Sequence, residues 1–184
     1  MSPDEKCQPR VRPLHRWEIQ AAYQVFADRL DYNRVRLHEC AGWPDAIDRI
    51  GRKLKGQPPA KNSHNAITLG NHCFFPVMMP VEPVQWGDAE FYKLAWLIHE
   101  LTHAWQFQQM GWRYLLKALS AQFKQGYDFG GENGLKMRRK DGWNFRKFNL
   151  EQQGDICRSY YENLSAGKDV SAWQDYIREI QQVV

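Results

Sequence analysis

The sequence predicts an α+β domain, mainly helical, in which a small β-sheet or hairpin flanks one buried central helix. Residues 89–109 are apolar nearly all round, carrying Phe91, Leu94, Trp96, Leu97, Ile98, Leu101, Ala104 and Trp105, and a helix without a polar face belongs in an interior. Two β-prone runs, 66–69 and 72–75, are separated by Gly70-Asn71, a Gly-first pair that signals a two-residue hairpin turn. Amphipathic helical periods precede and follow these segments. The length of 184 residues suits a single core, and 43% hydrophobic with 14% aromatic residues is too apolar for a disordered chain.

Residues 1–16 hold Pro3, Pro9 and Pro13 among charges and read as a proline-rich lead, with the domain proper over 17–184. Over 16–30, Ile19, Ala22, Tyr23, Phe26 and Leu30 recur at spacings of three and four, which predicts an amphipathic helix. Val35 and Leu37 alternate with Arg34, Arg36 and His38, predicting a short strand over 33–40 with one buried face. Residues 42–45 turn the chain, and Gly51, Gly56, Pro58 and Pro59 make 47–60 a loop. The hairpin occupies 65–77, and Pro76, Pro80 and Pro83 end the sheet signal. Asp88 is the expected N-cap of the central helix, which Gly111 stops. Residues 112–124 are compatible with another helix, while Gly126, Gly130, Gly131 and Gly134 predict an irregular loop over 125–146. Asn149 and Gln152 form a capping-box pair at the head of a helix over 150–164, and a last helix is expected over 170–183.

The formal net charge of +4 is too mild to make nucleic acid the expected partner. Lys136, Arg138, Arg139, Lys140, Arg146 and Lys147 gather against one acid, Asp141. They read as a solvated basic loop, the alternative being a contact surface for an anionic substrate or partner. Charges interrupt every window long enough for a membrane helix, so no membrane span is expected. The first residues lack the apolar core of a secretory signal. Cys7, Cys40, Cys73 and Cys157 form no CxxC pair, which argues against a cysteine zinc site; their even number permits disulfides without requiring them.

The central helix carries His99-Glu100-Leu101-Thr102-His103. The i,i+4 spacing puts both imidazoles on one face, where they can share one metal ion. Composition alone yields HExxH in such a chain with a probability of roughly one in a hundred. Two neutral imidazoles favour zinc, and Glu100, one residue round, is placed to act as general base toward a water at the metal. A catalytic zinc takes three protein ligands, and the best candidate for the third is Glu151. Glu151 and Asp155 are again i,i+4, so Glu151 can bind the metal while Asp155 accepts the other ring N–H of a liganding His. Gly154, on that side, would let the two helices approach closely. A structural site would instead close its fourth position with a further ligand, for which His64, His72 and Cys73 are available.

HExxH followed by ExxxD resembles the gluzincins, the thermolysin-like branch of the zincin metallopeptidases. More narrowly, Asn65-Ala66-Ile67-Thr68-Leu69-Gly70-Asn71-His72, His99 to Gln106 and Phe148-Asn149-Leu150-Glu151-Gln152-Gln153 resemble bacterial metallopeptidase domains fused to, or encoded beside, VgrG spike proteins of type VI secretion. The sequence departs from that pattern at Gly154, where Ala is usual, and at Asp155, where Glu is usual. The resemblance implies a zincin-like fold, one Zn2+ per chain on His99, His103 and Glu151, and Glu100 as the catalytic residue. It further implies a toxic effector without a signal peptide that is delivered to a competitor's periplasm, with a protein or peptide as substrate and a VgrG spike protein and a cognate immunity protein as partners. Tyr127, Tyr160, Tyr161 and His64 are candidates for the donor to the oxyanion. Two other readings stand beside this one: a hydrolase of peptidoglycan peptides, and a zinc-stabilised docking domain without catalysis.

Overall fold

The computed structural model of the chain describes residues 7–43, 66–80, 88–111 and 128–182. Its architecture is α+β. Strand β1 (Arg10–Arg12) leads into helix α1 (Arg16–Phe26), and strand β2 (Arg36–Glu39) is followed by β3 (Ile67–Leu69) and β4 (His72–Phe74). Helices α2 (Asp88–Met110), α3 (Gly131–Lys140), α4 (Leu150–Ser165) and α5 (Ser171–Gln181) complete the order. No described helix is long and apolar enough to cross a membrane.

The four strands form one sheet in the order β1-β2-β4-β3. β3 and β4 are the expected hairpin, with Leu69 opposite His72 and Gly70 at a positive φ of 65° in the turn. β2 runs parallel to β4 and antiparallel to β1. The register lines up Arg12, Leu37, Cys73 and Thr68 as one row across all four strands. Because side chains alternate along a strand, this row shares one face, and Leu37 and Cys73 in it are fully buried. α2 lies on that side against β3 and β4, and its other flank packs on α4. Leu94, Leu97, Ile98, Leu101 and Ala104 of α2 are all buried, as an all-round apolar helix requires.

Three expectations change. Residues 10–12, within the proline-rich lead, form an edge strand, and Cys7 just before it is disulfide-bonded to Cys40. Arg12 explains the strand's place: its guanidinium is buried between Glu18 and Glu39. It meets both oxygens of Glu18 at 2.7 and 2.9 Å and Glu39 Oε1 at 2.9 and 3.1 Å. The backbone N–H groups of His15 and Met79 donate to the same two carboxylates.

The second change is in the glycine-rich stretch expected to be an irregular loop, which contains α3. Gly130 and Gly131 take positive φ at the helix entry. A Cβ on Gly134 would come within 2.5 Å of the Phe129 carbonyl, so this glycine marks close packing rather than a break. The basic cluster is accordingly not a loop. Arg139 pairs with Glu179 of α5 and lies over Tyr176, Arg138 donates to the Phe129 carbonyl and stacks over Trp143 and Phe148, and Lys136 pairs with Glu132.

The third change is smaller: α2 begins at Asp88 itself, one residue earlier than an N-cap there would have it. The first helix ends at Phe26 and continues as a 3-10 turn, and the last ends at Gln181. The predicted loop over 47–60 and helix over 112–124 lie outside the described residues.

Candidate metal centre

α2 and α4 hold the site between them. The expected capping box is present on α4: Asn149 Oδ1 accepts from the Gln152 N–H at 2.8 Å, and Gln152 Oε1 accepts from the Asn149 N–H at 3.2 Å. This fixes Glu151 in the first turn, where the helix dipole favours a carboxylate. Across the gap, one turn of α2 presents His99 and His103.

The three groups converge. His99 Nε2 and His103 Nε2 stand 3.2 Å apart, and Glu151 Oε2 lies 3.4 Å from the first and 3.6 Å from the second. A tetrahedral ion bound at 2.0–2.1 Å sets its ligand atoms about 3.3 Å apart. The triangle therefore has the edge lengths of three ligands on one face of a tetrahedral ion, and all three residues are buried. The donor set fits a borderline-soft divalent cation.

The charge balance points the same way. Burial alone would push the His99 ring down, but the carboxylates of Asp155 and Glu151 outweigh it and lift the ring to about 10. His103 is lifted by Glu151 against the same effect of burial. Burial would raise the Glu151 carboxyl, and the two rings reverse this, holding it well below the usual carboxylate range. The trio favours a positive charge at its centre.

The supports are specific. Asp155, one helical turn beyond Glu151, sets its Oδ1 3.0 Å from His99 Nδ1. Gly154 lies directly against the His99 ring: a Cβ there would meet it at 2.7–2.9 Å. His103 Nδ1 is 2.8 Å from Gln106 Oε1. Glu100 is buried, and the Thr68 hydroxyl donates to its Oε2 at 2.7 Å, with the Glu100 carbonyl at 3.2 Å.

Sequence reasoning missed Thr68, Gln106 and Gln153. Gln106 follows His103 by three residues on the same helix face, a signal present in the spacing. Thr68 is found only through the strand register.

Other expected residues are not brought together with these. His72 lies on the outer face of the sheet, where its Nδ1 is 2.8 Å from His38 Nε2, and Cys73 Sγ, beside Thr68, lies 4.0 Å from the Glu100 carbonyl. Neither joins the three ligands, so neither closes the fourth position. Tyr160 and Tyr161 are nine and ten residues beyond Glu151 on α4, about 13–15 Å along the axis at 1.5 Å per residue, and are packed in the core. They do not reach the donors. His64 and Tyr127 lie outside the described residues. Burial pushes the Cys73 thiol up and the Cys157 thiol up to about 12, which leaves neither available as a nucleophile.

No protein-family model matches the chain. It is 30% identical over 161 residues to the type VI secretion system spike protein VgrG2b of Pseudomonas aeruginosa, a match covering 88% of this chain and 14% of that protein. The chain thus spans a small part of the length of the curated relative it matches. The solved effector domain of Pseudomonas aeruginosa VgrG2b is 25% identical and aligns with a TM-score of 0.54, covering 93% of this chain and 84% of that one. The relationship to a VgrG-associated effector domain therefore extends over nearly the whole chain.

Proposed function

We propose that this chain is a zincin-like, zinc-dependent peptide-bond hydrolase, a type VI secretion effector that acts on proteins or peptides in the target cell's periplasm. The observation that carries the reading is the buried triangle of His99, His103 and Glu151 with tetrahedral edge lengths, beside a carboxylate, Glu100, that is no part of it. The effector role rests on the similarity to the VgrG2b effector domain. The Cys7–Cys40 disulfide supports action in an oxidising compartment such as the periplasm.

His99, His103 and Glu151 would hold the metal. Bound there, zinc supplies Lewis acidity toward a carbonyl and toward water. Glu100 takes the proton of the attacking water and passes it to the leaving amine nitrogen. Thr68 holds one oxygen of that carboxylate in place, so the proton acceptor does not wander. β3 ends the sheet order beside α2, and its backbone can hold an extended peptide by edge pairing next to Glu100.

The test combines metal analysis with Glu100→Gln. The wild-type chain is expected to carry about one zinc, and the variant to keep zinc and fold while losing about 10²- to 10⁴-fold in hydrolysis rate. A panel of envelope proteins assayed beside purified sacculi separates protein from peptidoglycan substrates. A zinc-loaded Glu100→Gln chain with full activity would overturn the assignment.

A further inference from the structure

The two ligand histidines are supported by different chemistry. A neutral imidazole carries one ring proton, so a ring whose Nε2 lone pair faces a cation keeps that proton on Nδ1. For His99 the acceptor of the proton is a carboxylate, Asp155, which has no donor face to offer when ionised. For His103 the acceptor is an amide, and an amide turned over would present its NH2 group and drive the ring proton to the wrong nitrogen. Something has to fix which face Gln106 shows.

The far side of Gln106 does this. Its Nε2 is 3.1 Å from the Leu150 carbonyl and 2.8 Å from Gln153 Oε1. Gln153 in turn places its own Nε2 2.8 Å from the Phe148 carbonyl. Backbone carbonyls accept and never donate. The Phe148 carbonyl therefore takes the NH2 group of Gln153, which leaves the Gln153 oxygen toward Gln106. That oxygen and the Leu150 carbonyl both take the NH2 group of Gln106, which leaves the Gln106 oxygen toward His103. Turning over the Gln106 amide alone would set its oxygen against both of these acceptors. Gln106 is fully buried and Gln153 is 5% exposed, so water is poorly placed to repair such a mismatch.

We propose that Gln106 and Gln153 are positioning residues forming a directional relay, anchored on the Phe148 and Leu150 carbonyls, that holds the ring proton of His103 on Nδ1 and presents Nε2 to the metal. The relay rests on the metal reading above. Its two anchors bracket the N-terminus of the helix that carries Glu151, so the same bonds that orient His103 also register it against the third ligand.

The experiment measures zinc affinity by competition with a chelator for the whole chain and for Gln106→Met, Gln153→Met, the double variant and His103→Ala. The thermal midpoint of each metal-free protein is recorded beside it, and the His103 Nδ1–H proton is followed by NMR in zinc-loaded, 15N-histidine-labelled protein. Gln106→Met is expected to lose about 10- to 100-fold in affinity and the protected Nδ1–H signal. Gln153→Met, which removes a group that touches no ligand, is expected to lose less. The double variant should be no weaker than Gln106→Met, because Gln153 acts through Gln106. Two results would overturn the relay while leaving the metal site standing: wild-type affinity in Gln106→Met when His103→Ala abolishes binding, or additive losses in the double variant. Lowered melting with unchanged affinity likewise reduces both residues to packing and overturns it. Absence of zinc binding in the wild-type chain overturns the metal reading and the relay together.

Discussion

Arg12 and Thr68 stand at the two ends of one row on the core-facing side of the sheet, three strand spacings or about 14 Å apart, and each opens onto a cluster of buried charge. At the β1 end the cluster brings its own cation. The Arg12 fork meets two carboxylates, backbone N–H groups take up further lone pairs, and Arg12, Glu18 and Glu39 are all at most 6% exposed. At the β3 end Thr68 leads to Glu100 and on to His99, His103 and Glu151, where the basic partners are imidazoles whose charge is adjustable. A guanidinium is always charged and shapes a fixed bidentate contact; an imidazole can surrender its proton to a metal. The comparison separates a clamp from a site: a buried cluster closed by a permanent cation has nothing left to bind, whereas one closed by exchangeable protons can accept an ion in their place.

The sharpest way to break this contrast is Arg12→Ala. It leaves Glu18 and Glu39 buried without their cation, a loss of about 3–5 kcal/mol. At roughly 2–4 °C per kcal/mol for a chain of this size, the metal-free melting temperature should fall by about 6–20 °C in calorimetry. Zinc affinity of the folded variant should stay within about threefold of wild type. A variant that melts normally but binds zinc poorly would mean the two clusters had been assigned the wrong way round.

At the other end the expected response is the opposite, with affinity moving and stability nearly still. Asp155 is 26% exposed at its side chain and touches His99 only through Nδ1, so Asp155→Ala should cost about 10- to 100-fold in zinc affinity, or about 1.4–2.7 kcal/mol. Glu151→Ala, which removes a ligand, should cost more. Chelator competition ranks the two, and the reverse ranking would make Asp155 the ligand.

What could be read before the structure follows from how local each signal is. HExxH and ExxxD each lie within one turn of helix, so period and chemistry together placed His99, His103, Glu151 and Asp155 on facing sides, and the Asn149–Gln152 cap was legible for the same reason. The clamp was not, because it needs a strand register pairing residues 10–12 with 37–39 that proline content obscures. The helix over Gly131–Lys140 was hidden because glycine reads as a breaker, while Gly134 is required by the nearby Phe129 carbonyl. Spacing alone could not choose Cys7 and Cys40 as the bonded pair. Thr68 and Gln153 act through partners on other elements, which no single-segment pattern reports, and the spacing that sets Gln106 beside His103 does not show the acceptors beyond it.

The smallest expected net effect is the most discriminating, because it concerns the two positions where this sequence departs from the pattern it resembles. Aspartate reaches one methylene less far than glutamate, so holding His99 Nδ1 at 3.0 Å requires α4 to stand closer to α2. Glycine at 154 permits that approach, since any Cβ would press on the His99 ring at 2.7–2.9 Å, and the ring is pinned by Asp155 and Glu151 and cannot easily give. Gly154 and Asp155 thus act as one unit here; with Ala and Glu in their place the helix would have to stand off and the longer side chain span the gap. Gly154→Ala alone should destabilise by about 1–3 kcal/mol through overpacking and weaken zinc binding as His99 shifts. Asp155→Glu alone should crowd the ring from the other side. Combined, they should recover much of both losses, with a favourable coupling of about 0.5–3 kcal/mol in a double-mutant cycle read by zinc affinity and by melting temperature. Additive losses would show that α4 cannot shift to take up the longer side chain, and the spacing between the two helices would then be fixed by the core rather than by the residues at the metal centre.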